Sequence, residues 1–71
     1  MSTPETRAKD ATPSMIRDAR TQLALSQHGL ASIFGTTDLT ISRWETGRQA
    51  IRFPKMVYWA LKGLGWKEVA Q

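Results

Sequence analysis

The sequence predicts an all-α fold, a compact bundle of four to five short helices. Apolar residues recur at spacings of three and four in several segments, and glycine or proline separates these segments. The alternation of period two that marks a strand never persists. The 71 residues suffice for one domain, and a chain this short buries only about 60% of the surface that its unfolded form exposes.

The first helix is predicted over about residues 13–23. Thr12 suits the N-cap and Pro13 the first helical position, while Ile16 and Ala19 begin a helical apolar spacing. Before it, residues 1–11 contain nothing large and apolar after the initial methionine. They are predicted to be a flexible arm.

The second and third helices are predicted to meet at a single glycine. Ser26 is a cap candidate for the second helix, whose apolar stripe ends at Gly35. That stripe consists of Leu30, Ala31, Ile33 and Phe34. Thr37 is the cap candidate for the third helix, which is expected to bury Ile41 and Trp44 and to end at Gly47.

A fourth helix is predicted to open at Pro54. Its apolar residues repeat at three and four through Val57, Ala60, Leu61 and Leu64. Helices two and three can share one core only if the chain reverses within about three or four residues. Gly35 accepts the positive φ that such a corner requires, and the spacing of Ala31, Gly35 and Ile41 matches a helix-turn-helix.

At these residues the chain resembles the Cro and phage-repressor type of helix-turn-helix protein, the Xre family, which has a lambda-repressor-like fold. The likeness extends over residues 14–64. It is carried by LSQ at 25–27, LASIFG at 30–35, TISRWETG at 40–47, Ile51 and Pro54. The chain departs from the family pattern at Ala24, where Gly or Asn often closes helix one, and at Thr36 and Gly29. Gly29 removes the capping-box partner of Ser26.

The resemblance implies a DNA-binding domain over residues 12–65, followed by a C-terminal tail at 66–71. The side chains that it places in the major groove, to read bases, are Thr37, Asp38, Leu39, Ser42 and Arg43. Those that it places against DNA phosphates are Gln27, Thr40, Thr46, Arg48, Arg52 and Lys55. It also pairs Arg20 with Glu45 across helices one and three, for which two separately solvated charges are the alternative.

Several of these roles have a second interpretation. The Arg43 fork matches guanine O6 and N7, yet it also suits a phosphate. The Asp38 carboxylate either accepts from cytosine N4 or stabilises the helix N-terminus, and the second role avoids repulsion from DNA. Thr40 either touches a phosphate or covers the edge of the core. For Gln27, a phosphate contact competes with a solvated side chain.

The charge distribution favours a polyanionic partner. Lys and Arg number 10 against 6 Asp and Glu, which gives a formal charge of +4. Residues 37–62 carry five of the basic side chains and two acidic ones, so most of this charge lies beside the third helix. The resemblance implies that this partner is double-stranded DNA.

The last segment, MVYWALKGLGW, has apolar residues on too many sides for one small domain to bury. This surplus suggests a homodimer contact. The residues assigned to it are Tyr58, Trp59, Leu64 and Trp66. One recognition helix also reads too few base pairs to select a genomic site, so two copies are expected.

Other function classes find little support. The chain has no cysteine and one histidine, His28, so neither a metal site nor a cofactor is expected, and no catalytic motif suggests an enzyme. No apolar run approaches the roughly 18 residues that a membrane span needs, and a cytoplasmic protein is expected. The predicted function is a dimeric repressor of a short inverted-repeat operator. The alternative is an antitoxin that binds a toxin or other protein partner and regulates its own promoter.

Overall fold

Four α-helices follow one another through residues 9–68, the part of the chain that the structure, a computed structural model, describes. They are α1 (Pro13–Gln22), α2 (Gln27–Phe34), α3 (Asp38–Thr46) and α4 (Pro54–Gly63). No strand lies within these residues. The predicted all-α fold with a helix-turn-helix is therefore confirmed, with α2 and α3 forming the motif.

Side-chain caps begin the first three helices at the predicted residues. The hydroxyl of Thr12 accepts from the Met15 N–H at 3.2 Å, and the hydroxyl of Ser26 accepts from the Gly29 N–H at 2.9 Å. The Thr37 hydroxyl accepts from the Thr40 N–H at 3.2 Å. Each cap satisfies a backbone donor that the first helical turn leaves without a partner.

Left-handed residues end the same three helices. Ala24, Gly35 and Gly47 have φ values of 55°, 70° and 75°. At each corner the next residue's N–H donates, at 2.9 Å, to the carbonyl oxygen five residues earlier. This bond satisfies a carbonyl at the helix end, and the left-handed residue lets the chain turn directly toward the next cap.

Each helix contributes one fully buried aliphatic side chain to a single core. These side chains are Ile16, Leu30, Ile41 and Leu61. The small Ala19 and Ala31 are buried beside them, where larger side chains would force the helices apart.

The packed domain extends beyond the predicted boundaries of residues 12 and 65. Ala11, assigned to the arm, is buried, and its N–H donates to the Pro54 carbonyl at 3.1 Å. Trp66, assigned to the tail, is also buried, and its indole N–H donates to Asp18 at 2.8 Å. Both differences arise from contacts with residues distant in sequence. Of the predicted arm and tail, residues 1–8 and 69–71 lie outside the described residues.

Candidate nucleic-acid interface

Helix α3 has a buried inner face and an exposed outer face. Ile41, Trp44 and Glu45 are buried against the other helices. The predicted base-reading residues lie on the other side, where Thr37, Asp38, Leu39 and Arg43 are exposed and Ser42 is half-buried. One helix therefore combines an anchor in the core with a row of accessible side chains.

The Glu45 carboxylate is the anchor of the inner face. The Arg20 guanidinium on α1 binds it through two hydrogen bonds, Nε to Oε2 at 2.6 Å and Nη2 to Oε1 at 3.1 Å. The Gln27 side-chain amide on α2 donates to Oε1 at 3.2 Å, and Arg17 donates to the Glu45 backbone carbonyl at 3.2 Å. These contacts join α1 and α2 to α3 at one residue.

Electrostatics at Glu45 favour the ionised carboxylate. Burial raises the pKa of Glu45, but hydrogen bonds from Arg20 and Gln27 and the charges of Arg20 and Arg17 outweigh it and hold this pKa below its ordinary value. The same pairing raises the pKa of Arg20. The ion pair stays charged at neutral pH, and it fixes the direction in which α3 presents its outer face.

The predicted phosphate contacts divide into two groups. Gln27, Thr40 and Thr46 lie on or beside the helix-turn-helix and already bond within the protein. Gln27 donates to Glu45, the Thr40 and Thr37 hydroxyls are 3.1 Å apart, and the Thr46 hydroxyl donates to the Ser42 carbonyl at 3.0 Å. The Gln27 amide nitrogen carries a second hydrogen, so the contact with Glu45 leaves it able to bind a phosphate as well.

Basic residues form the second group, after the end of α3. Arg48, Arg52 and Lys55 are exposed. The Arg52 guanidinium lies 5.6 Å from the centre of the Phe53 ring, and Lys55 pairs with Asp10 at 2.9 Å. Both partners of that pair are more than 60% exposed, so solvent screens it strongly and a phosphate could replace the carboxylate.

The structure corrects half of the predicted dimer contact. Tyr58 and Trp66 are each 2% exposed, because their rings pack edge to face with centres 6.0 Å apart inside one copy. Neither is available to a second copy in this conformation. Leu64 is half-buried, and Trp59, 42% exposed, is the most accessible of the four.

Two exposed apolar residues beside Trp59 were missing from the sequence prediction. Met56 is 68% exposed and Phe53 is 64% exposed. With Trp59 they form a row at three-residue spacing that we call the α4 stripe. The spacing was visible in the sequence, but α4 is apolar on several sides, so periodicity alone did not show which residues the core would use.

Phe53 has a strained backbone. Its φ of 50° and ψ of 59° place a bulky side chain in the left-handed region, and no side chain caps the helix that it precedes. A groove of about 530 Å³ between α3 and α4 lies beside it, with Phe34, Trp44 and Val57 among its lining residues. The strained residue thus places an aromatic ring at the rim of a groove lined by both apolar and polar side chains.

Within residues 9–68, no cluster of three or more potential metal-binding side chains occurs. None of the described helices has the length and apolar character needed to cross a membrane.

Comparison with known families agrees with the geometry of α2 and α3. A helix-turn-helix family model matches residues 16–57, from the first turn of α1 into α4. No curated protein and no solved structure matches the chain. The matched segment covers more than half of the sequence and includes the Ser26 and Thr37 caps, the Gly35 corner and the Glu45 anchor. The chain therefore belongs to the helix-turn-helix family, of the Cro and phage-repressor type, and is a DNA-binding transcriptional regulator.

Proposed function

We propose that this chain is a dimeric, sequence-specific repressor that binds a short inverted-repeat operator. The observation that carries the proposal is the outer face of α3, where Asp38, Leu39 and Arg43 are exposed while Glu45 holds the inner face against two other helices. A rigidly mounted row of polar and apolar side chains is what base reading in the major groove requires.

Within this proposal, Arg43 reads a base and Arg48 holds the backbone. Arg43 lies on α3, and its planar fork suits guanine O6 and N7. Arg48 follows the helix end at Gly47, where a recognition helix leaves the groove and the chain passes beside the phosphates. The basic residues after α3 add affinity for any DNA sequence.

Two copies are proposed because a single α3 reads only a few base pairs. A helix of nine residues contacts about three to five base pairs, too few to distinguish one site among roughly 10⁶ competing positions. The α4 stripe supplies an exposed apolar and aromatic surface for a two-fold contact, and apolar cores rich in Phe, Met and Trp are typical of such interfaces.

Repression, rather than activation, is part of the proposal because the described domain has proposed contacts for DNA and for a second copy. The proposed DNA contacts lie mainly on α3 and on the basic residues after it, and the proposed dimer contact lies on the α4 stripe.

Selection of binding sites from a random duplex library tests the proposal. We expect an enriched inverted repeat with half-site centres about 10 base pairs apart. Inserting five base pairs between the half-sites turns them to opposite faces of the duplex and should abolish cooperative binding. Absence of any enriched sequence would reject sequence-specific recognition.

Single-base variants of the selected site then separate the two arginines. Arg43→Ala should remove about 1–3 kcal/mol of discrimination at one base pair in each half-site. Arg48→Ala should weaken binding to every variant by the same factor and leave their order unchanged. If Arg43→Ala also weakens all variants equally, Arg43 contacts a phosphate.

Sedimentation tests the dimer and its surface. Met56→Ala and Trp59→Ala should shift the protein toward monomer, whereas Ile33→Ala, an exposed apolar change on α2, should not. A chain that sediments as a monomer at tens of micromolar and protects only one half-site would reject the dimer. The α4 stripe would then be assigned to a different protein partner, as the antitoxin alternative requires.

A further inference from the structure

Leu39 differs chemically from its neighbours on the outer face of α3. It is 57% exposed, whereas the residues around it on that face, Thr37, Asp38 and Arg43, are polar or charged. The core is already filled by Ile41 and Trp44 from the opposite face. The exposed Leu39 side chain therefore has an apolar surface to offer to a ligand.

The position of Leu39 limits what that ligand can be. It is the second residue of α3, behind the Thr37 cap, and the N-terminal residues of a recognition helix approach the base edges most closely. The edges of the four standard bases in the major groove carry hydrogen-bonding groups, and thymine alone adds a methyl group. An aliphatic side chain cannot hydrogen-bond, so a methyl group is the feature that it can recognise.

We infer that Leu39 reads the C5 methyl group of a thymine in each half-site. The inference rests on the proposed function and deepens it, because it specifies one base of the operator. Its chemistry extends to 5-methylcytosine, which carries the same methyl group at the same position of the groove.

Helix geometry gives the distance between this thymine and the base read by Arg43. The two residues are four apart, so they lie on one side of α3. Four residues advance the helix axis by about 6 Å, and successive base pairs rise by about 3.4 Å. The thymine is expected about two base pairs from the guanine assigned to Arg43.

A second copy of the chain is a weaker occupant for this surface. A dimer contact needs a contiguous apolar patch, which the α4 stripe provides. A partner chain that covered Leu39 would also cover the adjacent Asp38 and Arg43, which lies on the same side of the helix. Burying those charges without partners is unfavourable in a protein contact. In the DNA groove, Arg43 has acceptors.

Replacing each thymine of the selected site by deoxyuridine, one position at a time, tests the inference. This change removes only the methyl group. At one thymine of the half-site, the change in a single half-site should lower wild-type affinity about fourfold, and the change in both half-sites should lower it about fifteenfold. These values are expected if each half-site loses the burial of one methyl group. The other thymines should tolerate the change.

Variants show whether Leu39 is responsible. Leu39→Ala should bind the thymine site more weakly than the wild type and should no longer distinguish thymine from deoxyuridine. Ile33→Ala, on α2, should keep the wild-type ratio. Replacing the thymine by cytosine should lower wild-type affinity, and 5-methylcytosine there should recover about fourfold relative to cytosine.

The outcomes separate the two proposals. If a site is selected but no deoxyuridine position changes the affinity, or if Leu39→Ala retains the full ratio, the methyl-reading role is wrong while sequence-specific binding stands. If no sequence is enriched, the proposed function fails and this inference fails with it. Circular dichroism of each variant confirms that the exposed substitution leaves the fold intact.

Discussion

Removing Arg20 should destabilise the fold far more than removing a surface ion-pair partner. The Glu45 side chain is 3% exposed, so Arg20→Ala leaves a buried carboxylate with the Gln27 amide but without its cation. Breaking a buried pair in this way typically costs about 3–5 kcal/mol. The Arg20 side chain is 22% exposed, so water can partly replace it, and we expect a loss of about 3 kcal/mol, at the lower end of that range.

The Lys55–Asp10 pair is a matched control in the same molecule. Its nitrogen and oxygen lie 2.9 Å apart, close to the Arg20–Glu45 distance, but its side chains are 65% and 63% exposed. Solvent screening limits such a pair to about 0–1 kcal/mol. The difference in burial, together with the second hydrogen bond that Arg20 makes to Glu45, should therefore give clearly different coupling energies.

Urea unfolding followed by far-ultraviolet circular dichroism measures these energies in two double-mutant cycles, one for each pair. A domain of 71 residues is stable by only about 4–10 kcal/mol, so Arg20→Lys provides a milder companion to Arg20→Ala. The lysine keeps the charge but loses the two-pronged contact, and its effect should be intermediate. A coupling energy for Arg20 and Glu45 no larger than that for Lys55 and Asp10 would refute the reasoning.

Four further substitutions address pH, the C-terminal contact and the helix corners. The pKa of Glu45 is lower in the folded protein than in the unfolded chain, so the free energy of unfolding should fall as the pH decreases past about 4.3. Urea unfolding at each pH measures this fall, which should be less steep in Glu45→Gln. Trp66→Phe keeps an aromatic ring but removes the five-membered ring of the buried indole and its N–H bond to the Asp18 carboxylate. Thermal unfolding should show a loss of about 1–3 kcal/mol for the hydrogen bond, increased by the cavity that the smaller ring leaves. A Cβ at Gly35 would meet no atom within 4 Å, so Gly35→Ala should cost only the strain of a left-handed alanine, about 1–2 kcal/mol. Ala24→Gly should remove a similar strain and raise the unfolding temperature.

The helix-turn-helix was predictable because its determinants are local. Ser26 and Thr37 act on N–H groups three residues away, and Gly35 sets its own backbone conformation. The departure from the family at Ala24 also has a local explanation. Its φ of 55° is the conformation that Gly or Asn adopts more easily, which is why those residues often close this helix.

The C-terminal packing was not predictable because its partners are distant in sequence. Trp66 contacts Asp18, 48 residues away, and the Lys67 backbone exchanges two hydrogen bonds with the Gln22 side chain, at 2.6 and 3.0 Å. Glu68 accepts from Tyr58 and Lys9, each at 3.0 Å. Apolar spacing shows that an aromatic residue can be buried, but not that α1 supplies the acceptor for its N–H group.

Phe53 and Met56 of the α4 stripe were missing from the sequence prediction for a related reason. Two opposite sides of α4 are both apolar, and the core takes Val57, Tyr58 and Leu61 while Met56 and Trp59 remain outside. The choice depends on how α4 is rotated against the core, and the chain enters this helix through the left-handed backbone of Phe53. A loop conformation of this kind leaves no signal in apolar periodicity.

The two faces of α3 also separate two kinds of evolutionary constraint on one helix. Under the proposed function, a substitution at Asp38, Leu39 or Arg43 would alter what the helix recognises without changing the side chains that hold it against α1 and α2. A substitution at Glu45 would instead require compensating changes on both α1 and α2, since residues of both helices bind it. If the outer face of α3 reads DNA as proposed, single substitutions there would change target preference while the packing of the helix stays the same.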